Sequence, residues 1–125
     1  NIVFHGKKKR ENMAKYYKAS DFLIVSLIDK PIFSVTVPAK TQTYIAAKKP
    51  ILAVIKGDTV DIVKSYNLGI CTDPSNVNLI AEAFQECIDM PENKRESFIS
   101  NSNELLKTTF NKNYIINGIT NALLG

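Results

Sequence analysis

Residues 37–54 read VPAKTQTYIAAKKPILAV. Pro38, Ala39, Lys40 and Thr41 stand where an apolar-striped helix would begin, and Pro50 opens a continuous apolar run. The start of a helix leaves backbone N–H groups without intrahelical partners and carries the positive end of the helix dipole, which suits an anion. Proline fits the entry because no N–H is needed there. Lys40 adds a positive charge, and the Thr41 hydroxyl can cap the helix or donate to a ligand. A capped helix beside a solvent lysine would use the same residues, so the segment alone leaves both readings open. A second candidate is His5-Gly6-Lys7, after an apolar run. Glycine there lets a ligand approach the backbone closely, although a plain strand-ending turn would look the same.

Other chemistry finds little support. His5 is the only histidine, and the two cysteines, Cys71 and Cys87, lie far apart with no CxxC spacing, so no metal site is expected. No Ser-His-Asp or Cys-His arrangement can be drawn, and catalytic residues stay unassigned. Asp21, Asp29, Asp58, Asp61, Glu82 and Glu86 read as caps or surface charges. With only five glycines there is no Walker-type phosphate loop. Tyr16 and Tyr17 could stack on bases, but helical spacing points to packing for Tyr17 and exposure for Tyr16, and no nucleic-acid partner is expected.

These candidates need elements to position them. Residues 2–5 read as a short strand ended by Gly6, and residues 10–19 as a helix with Met13, Ala14 and Tyr17 on one face. Residues 21–27 form a buried strand. Between 28 and 37, Phe33, Val35 and Val37 alternate, as in an added strand or an extended loop. A short helix over 41–48, a buried strand over 50–55, a helix over 59–66 capped by Asp58, and a strand over 68–72 follow. Asp73-Pro74-Ser75 offers cap residues for a helix running to residue 90, striped with Val77, Ile80, Ala81, Phe84, Cys87 and Ile88. Pro91 starts another helix, and residues 111–124 form the last, with Ile115, Ile119, Ala122 and Leu123 in register. Strands alternating with helices, apolar without alternation, predict an α/β fold: a Rossmann-like parallel sheet of about four strands flanked by helices. Ligands of such sheets sit at the carboxyl ends of the strands, here after Phe4, Leu27 and Ile55.

The 125 residues fit one domain, with 45% hydrophobic and 22% charged residues. The net charge of +4 owes much to Lys7-Lys8-Lys9-Arg10, and it suits anionic ligands. Two unpaired cysteines fit a reducing cytoplasm, and no stretch is apolar and long enough to span a bilayer. The first residue is Asn and the chain enters a strand at once, as expected of a piece of a longer protein.

In order, IVFHG, YYKASDFLIVSL, VPAKTQTYIAAKKPILAV and NLGICTDPSNVNLIAEAF resemble the C-terminal domain of GT-B glycosyltransferases. The closest type is the family 4 retaining enzymes of bacterial capsule, exopolysaccharide and O-antigen assembly. Their Pro-Ser-Lys segment, Tyr, Ala-Ala pair and Gly-Lys-Pro or Gly-Arg-Pro have counterparts in Pro38-Ala39-Lys40, Tyr44, Ala46-Ala47 and Lys48-Lys49-Pro50. The resemblance covers nearly the whole chain. It implies the donor-binding part of an enzyme that moves a sugar from a nucleotide, typically UDP, to a glycan or lipid-linked acceptor. It also implies that Gly6 and Lys7 lie near the base, and the helix start at Pro38, Ala39, Lys40 and Thr41 near the diphosphate and donor sugar.

Beyond the donor, no cofactor is implied. The acceptor and much of the catalytic apparatus would come from a separate N-terminal domain, and the parent would work in the cytoplasm, with peripheral association at the inner membrane in view. Many members carry two glutamates eight residues apart, the second touching the ribose; the positions here are Val35 and Thr43. The usual loop glycine is missing from Ser34-Val35-Thr36-Val37. The family's first C-terminal strands are not represented, so strand 2–5 is expected to pair beside strand 21–27 or to reach a neighbouring chain, giving a strand-edge oligomer. A nucleotide-sugar epimerase of the same architecture and a non-catalytic α/β interaction module are the alternatives.

Overall fold

The computed structural model describes residues 2–124. Ten helices and strands follow one another: α1 Met13–Ala19, β1 Leu23–Ser26, α2 Pro31–Ser34, α3 Ala39–Ala46, β2 Ile51–Val54, α4 Asp58–Ser65, β3 Gly69–Thr72, α5 Val77–Ile88, α6 Glu92–Lys107 and α7 Lys112–Leu124. A 3-10 turn, Arg10–Asn12, leads into α1.

The sheet is parallel, in the order β1-β2-β3. Leu23 to Ser26 pair with Ile51 to Val54, and these pair with Gly69 to Thr72. All four residues of central β2 are buried, because helices cover both of its faces. On one face Val25, Ile45, Ile51, Ala53, Val63 and Leu105 form a cluster with α3 and α4. On the other, Leu52, Val54, Ile70, Ala83, Cys87 and Phe98 pack with α5. Helix α6 serves both clusters, giving Phe98 to one and Leu105 to the other.

The α/β architecture is as the alternation predicts, with three strands where about four were expected. Residues 2–5 form no strand, and Ile2, Val3 and Phe4 are 82%, 73% and 92% exposed. The expected pairing beside β1 therefore does not occur within the chain. The physical reason is length: a four-residue run followed at once by Gly6 (φ 67) and a basic turn buries no apolar face to offset its ordering entropy. Residues 28–37 are neither strand nor wholly extended. Pro31 opens the one-turn helix α2, since its fixed φ suits a first helical position.

Cap assignments shift too. Gly57 (φ 84) is the N-cap of α4 and Asp58 its first residue, with no side-chain cap bond. The α5 cap is Asn76, whose Oδ1 accepts from Asn78 N at 3.0 Å and Leu79 N at 3.3 Å. The stripe foreseen on α5 is mostly uncovered: Cys87 is buried and Ile80 half-buried, but Val77, Ala81, Phe84 and Ile88 are exposed. On α7, Ile115, Ile119 and Leu123 are exposed.

Candidate functional site

Because β1, β2 and β3 are parallel, their carboxyl ends form one edge, and the chain leaves each strand there into a different segment. After β1 come residues 27–38 and the start of α3. After β2 come Ile55, Lys56 and Gly57. After β3 come Asp73, Pro74 and Ser75.

The start of α3 is bare. Its N-cap is Pro38 (φ −58, ψ 138), which forms no side-chain cap bond. Thr41 N donates to Pro38 O at 2.9 Å, closing the first turn. The N–H groups of Ala39 and Lys40 precede that turn and have no intrahelical partner by construction. Both residues are exposed, with the Lys40 side chain beside the helix's positive end.

The other anticipated residues are placed differently. Thr41 is fully buried, and its hydroxyl has no hydrogen-bond partner among the described residues. Its burial sets it against the core, on the same side of α3 as Tyr44 and Ile45. Thr43 is exposed, but its hydroxyl donates to Ala39 O at 3.0 Å. Its side chain lines a cleft of about 490 Å³ between α1 and α3, with Tyr17, Lys18, Ala46 and Lys49. Gly6 and Lys7 lie in the exposed segment before α1, where the His5 ring meets Tyr16 at 5.4 Å. Pro38, Ala39 and Lys40 are thus brought together, with Thr43 one turn further along α3 and Gly6 and Lys7 in a separate exposed segment. Tyr17 packs edge-on against Tyr44 at 5.6 Å, as its helical spacing predicts, and burial raises the Tyr44 pKa.

The edge also holds an ion cluster that the sequence did not single out. Lys56 Nζ donates to Asp29 Oδ2 at 2.6 Å and lies 3.5 Å from Asp73 Oδ1. The same Asp73 oxygen accepts from Ser75 N at 2.8 Å and Ser75 Oγ at 2.6 Å. The Ser75 bonds, with Lys56 beyond them, hold the Asp73 carboxyl below its usual range, and the bond to Asp29 raises the Lys56 pKa. A cleft of about 260 Å³ opens beside the cluster between the ends of β2 and β3, lined by Lys56, Gly57, Asp61, Cys71 and Asp73 among others. One signal was available: Asp29, Lys56 and Asp73 each fall within three residues after a strand, so a parallel sheet must bring their backbones to one edge.

Chemically this edge can hold an anion and fix loops. The Cys71 and Cys87 thiols are pushed up to about 11 by burial, which keeps them protonated and unreactive at neutral pH. Asp29 and Asp73 are engaged by Lys56, and His5 stands against α1. Among the described residues no group of three His, Cys, Asp or Glu side chains could hold a metal ion.

A parallel α/β sheet with a bare helix start at its carboxyl edge defines a Rossmann-like domain of the ligand-binding kind. Residues 1–105 match the family described as glycosyl transferases group 1, and the chain belongs to this glycosyltransferase family. No curated protein and no solved structure matches it. No helix among the described residues is long and apolar enough to cross a membrane.

Proposed function

We propose that this chain is the donor-binding part of a GT-B enzyme of the family 4 type, and that it binds the diphosphate of a nucleotide-sugar at the start of α3. The observation that carries the reading is the uncapped N-terminus of α3, with exposed Lys40 in its first turn, at the carboxyl edge of a parallel sheet. Ala39 and Lys40 would donate backbone N–H groups to a phosphate, and Lys40 Nζ would add a charge-assisted bond. Buried Thr41 would hold the first turn in place. Gly6 and Lys7 would meet the base once the donor bridges the two segments, with UDP the nucleotide of choice.

The acceptor, a glycan or lipid-linked sugar of bacterial surface-polysaccharide assembly, would be presented by a separate domain at the cytoplasmic face of the membrane. Asp29 and Asp73 at this edge are both engaged by Lys56, which fits a donor half whose catalytic groups lie elsewhere. Calorimetric titration of the full-length protein with UDP, GDP and UDP-sugars tests this. Lys40→Ala is expected to weaken UDP binding roughly five- to twenty-fold, the loss of one charge-assisted contact. Unchanged affinity in that variant would remove the site.

A further inference from the structure

Residues 27–38 carry the chain from the end of β1 to the start of α3, so their placement sets where the bare N-terminus of α3 and Lys40 stand. Within the segment the hydrogen bonds are local: Phe33 N donates to Lys30 O at 2.9 Å, and the Thr36 hydroxyl reaches Ile32 O and Phe33 O at 3.4 Å. Among the described residues, only one side-chain hydrogen bond or ion pair ties it to another part of the protein, that of Asp29 to Lys56.

Lys56 is itself fixed from the far side. Its second carboxylate, Asp73, is locked by the Ser75 turn that follows β3. Ser75, Asp73, Lys56 and Asp29 thus make a strut across the carboxyl ends of all three strands. An isolated exposed ion pair stabilises little, because two long side chains must be ordered for one contact. Here Asp73 is ordered by its own backbone turn and Lys56 is shared by two carboxylates, so less freedom is lost per contact. The three side chains are each about 40% exposed, open enough to form without a large desolvation cost.

We infer that Lys56 is a positioning residue for the donor site: by tethering Asp29 to the ends of β2 and β3, it holds the β1–α3 connection and with it the phosphate-binding start of α3. The inference rests on the donor-site reading. Lys56 acts through the loop, and Lys40 is the residue that meets the ligand.

The test uses the full-length protein with Lys56→Met, Lys56→Arg and Asp29→Asn, read by hydrogen exchange of residues 28–36 and by calorimetry with UDP. Lys56→Met is expected to speed exchange of the loop amides and weaken UDP binding, each roughly two- to five-fold, the scale of an exposed ion-pair network. Lys56→Arg is expected to restore most of both. Asp29→Asn should reproduce the loosening while protection of Ile51–Val54 stays intact. Unchanged loop exchange in Lys56→Met overturns the inference. So does weakened UDP binding with an unaltered loop, since Lys56 would then touch the ligand itself. If Lys56→Met loosens the whole sheet, Asp29→Asn decides, and its failure to loosen the loop overturns the inference. Lys40→Ala separates the two readings: if it leaves UDP binding unchanged the donor site falls, while loop exchange still reports on the strut.

Discussion

Gly69 is where the sheet is least tolerant of a side chain. It pairs with Ile51 at the start of β3. A Cβ built there would press on the Ile51 carbonyl oxygen and lie 2.6 Å from Ile51 N and 2.7 Å from Ile51 C, where real Cβ atoms stay beyond 3.0 Å. All three atoms are backbone of the central strand, which is buried throughout. Relief therefore requires β3 to move away from β2 by about an ångström, beyond the reach of a good hydrogen bond. The first contact to suffer is Ile51 N to Leu68 O, now 3.0 Å. Losing one or two ladder bonds costs about 1 kcal/mol each, and overpacking adds about 1–3 kcal/mol, so Gly69→Ala is expected to cost roughly 2–5 kcal/mol.

That is a large part of a typical total of about 5–15 kcal/mol. Urea unfolding of the full-length protein should register it as a midpoint lowered by about 1–2 M. Gly118→Ala is the matched control. Its Cβ would meet nothing within 4 Å on α7, so the change should be neutral or gain up to about 1 kcal/mol from helix propensity. If Gly69→Ala costs no more than Gly118→Ala, the close approach of β3 to β2 is wrong. Asp73 would then lose its placement 3.5 Å from Lys56.

Two further outcomes follow from local geometry. Lys48 sits just past α3 at φ 55, a left-handed conformation that costs a side chain, so Lys48→Gly should raise stability by roughly 0.5–1 kcal/mol in the same urea titration. The thiols of half-buried Cys71 and buried Cys87, near 11 in the folded protein against an ordinary 9.0, stay protonated while those of the unfolded chain ionise. Stability should therefore be unaffected by them below pH 9 and fall as pH rises from about 9 to 11, because the unfolded state releases its protons first. At pH 8, alkylation of the native protein should run roughly a hundredfold slower than in urea, and equal rates would refute the burial.

Much of the fold was legible because buried parallel strands and capped helices leave local marks. The runs around Val25, Ile51 to Val54 and Ile70 are apolar without alternation, and each became a strand. Tyr44 and Ile45 took the core side of α3 as their spacing required. Residues 2–5 looked as strand-like as β3, yet pairing is not a local property, and no partner edge received them. The stripes on α5 and α7 were read correctly as helical, but an apolar face is buried only if another element covers it. At the candidate site, Pro38 and Lys40 could be assigned to a helix start from sequence, and Thr41, three and four residues before Tyr44 and Ile45, shares their inward face by the same spacing, while the ion cluster of Asp29, Lys56 and Asp73 carried no such local mark.

The sequence by itself determined the α/β class, the helix start at Pro38 and the likeness to glycosyltransferases, because these rest on periodicity, turn chemistry and motif order along the chain. A parallel sheet brings Asp29, Lys56 and Asp73, separated by 27 and 17 residues, to one edge, but only the tertiary structure decided that their side chains meet there. Charges that far apart interact only after β1 and β3 have paired with β2 in register, Leu23 and Gly69 both beside Ile51, and that pairing is made by backbone hydrogen bonds between segments distant in the chain.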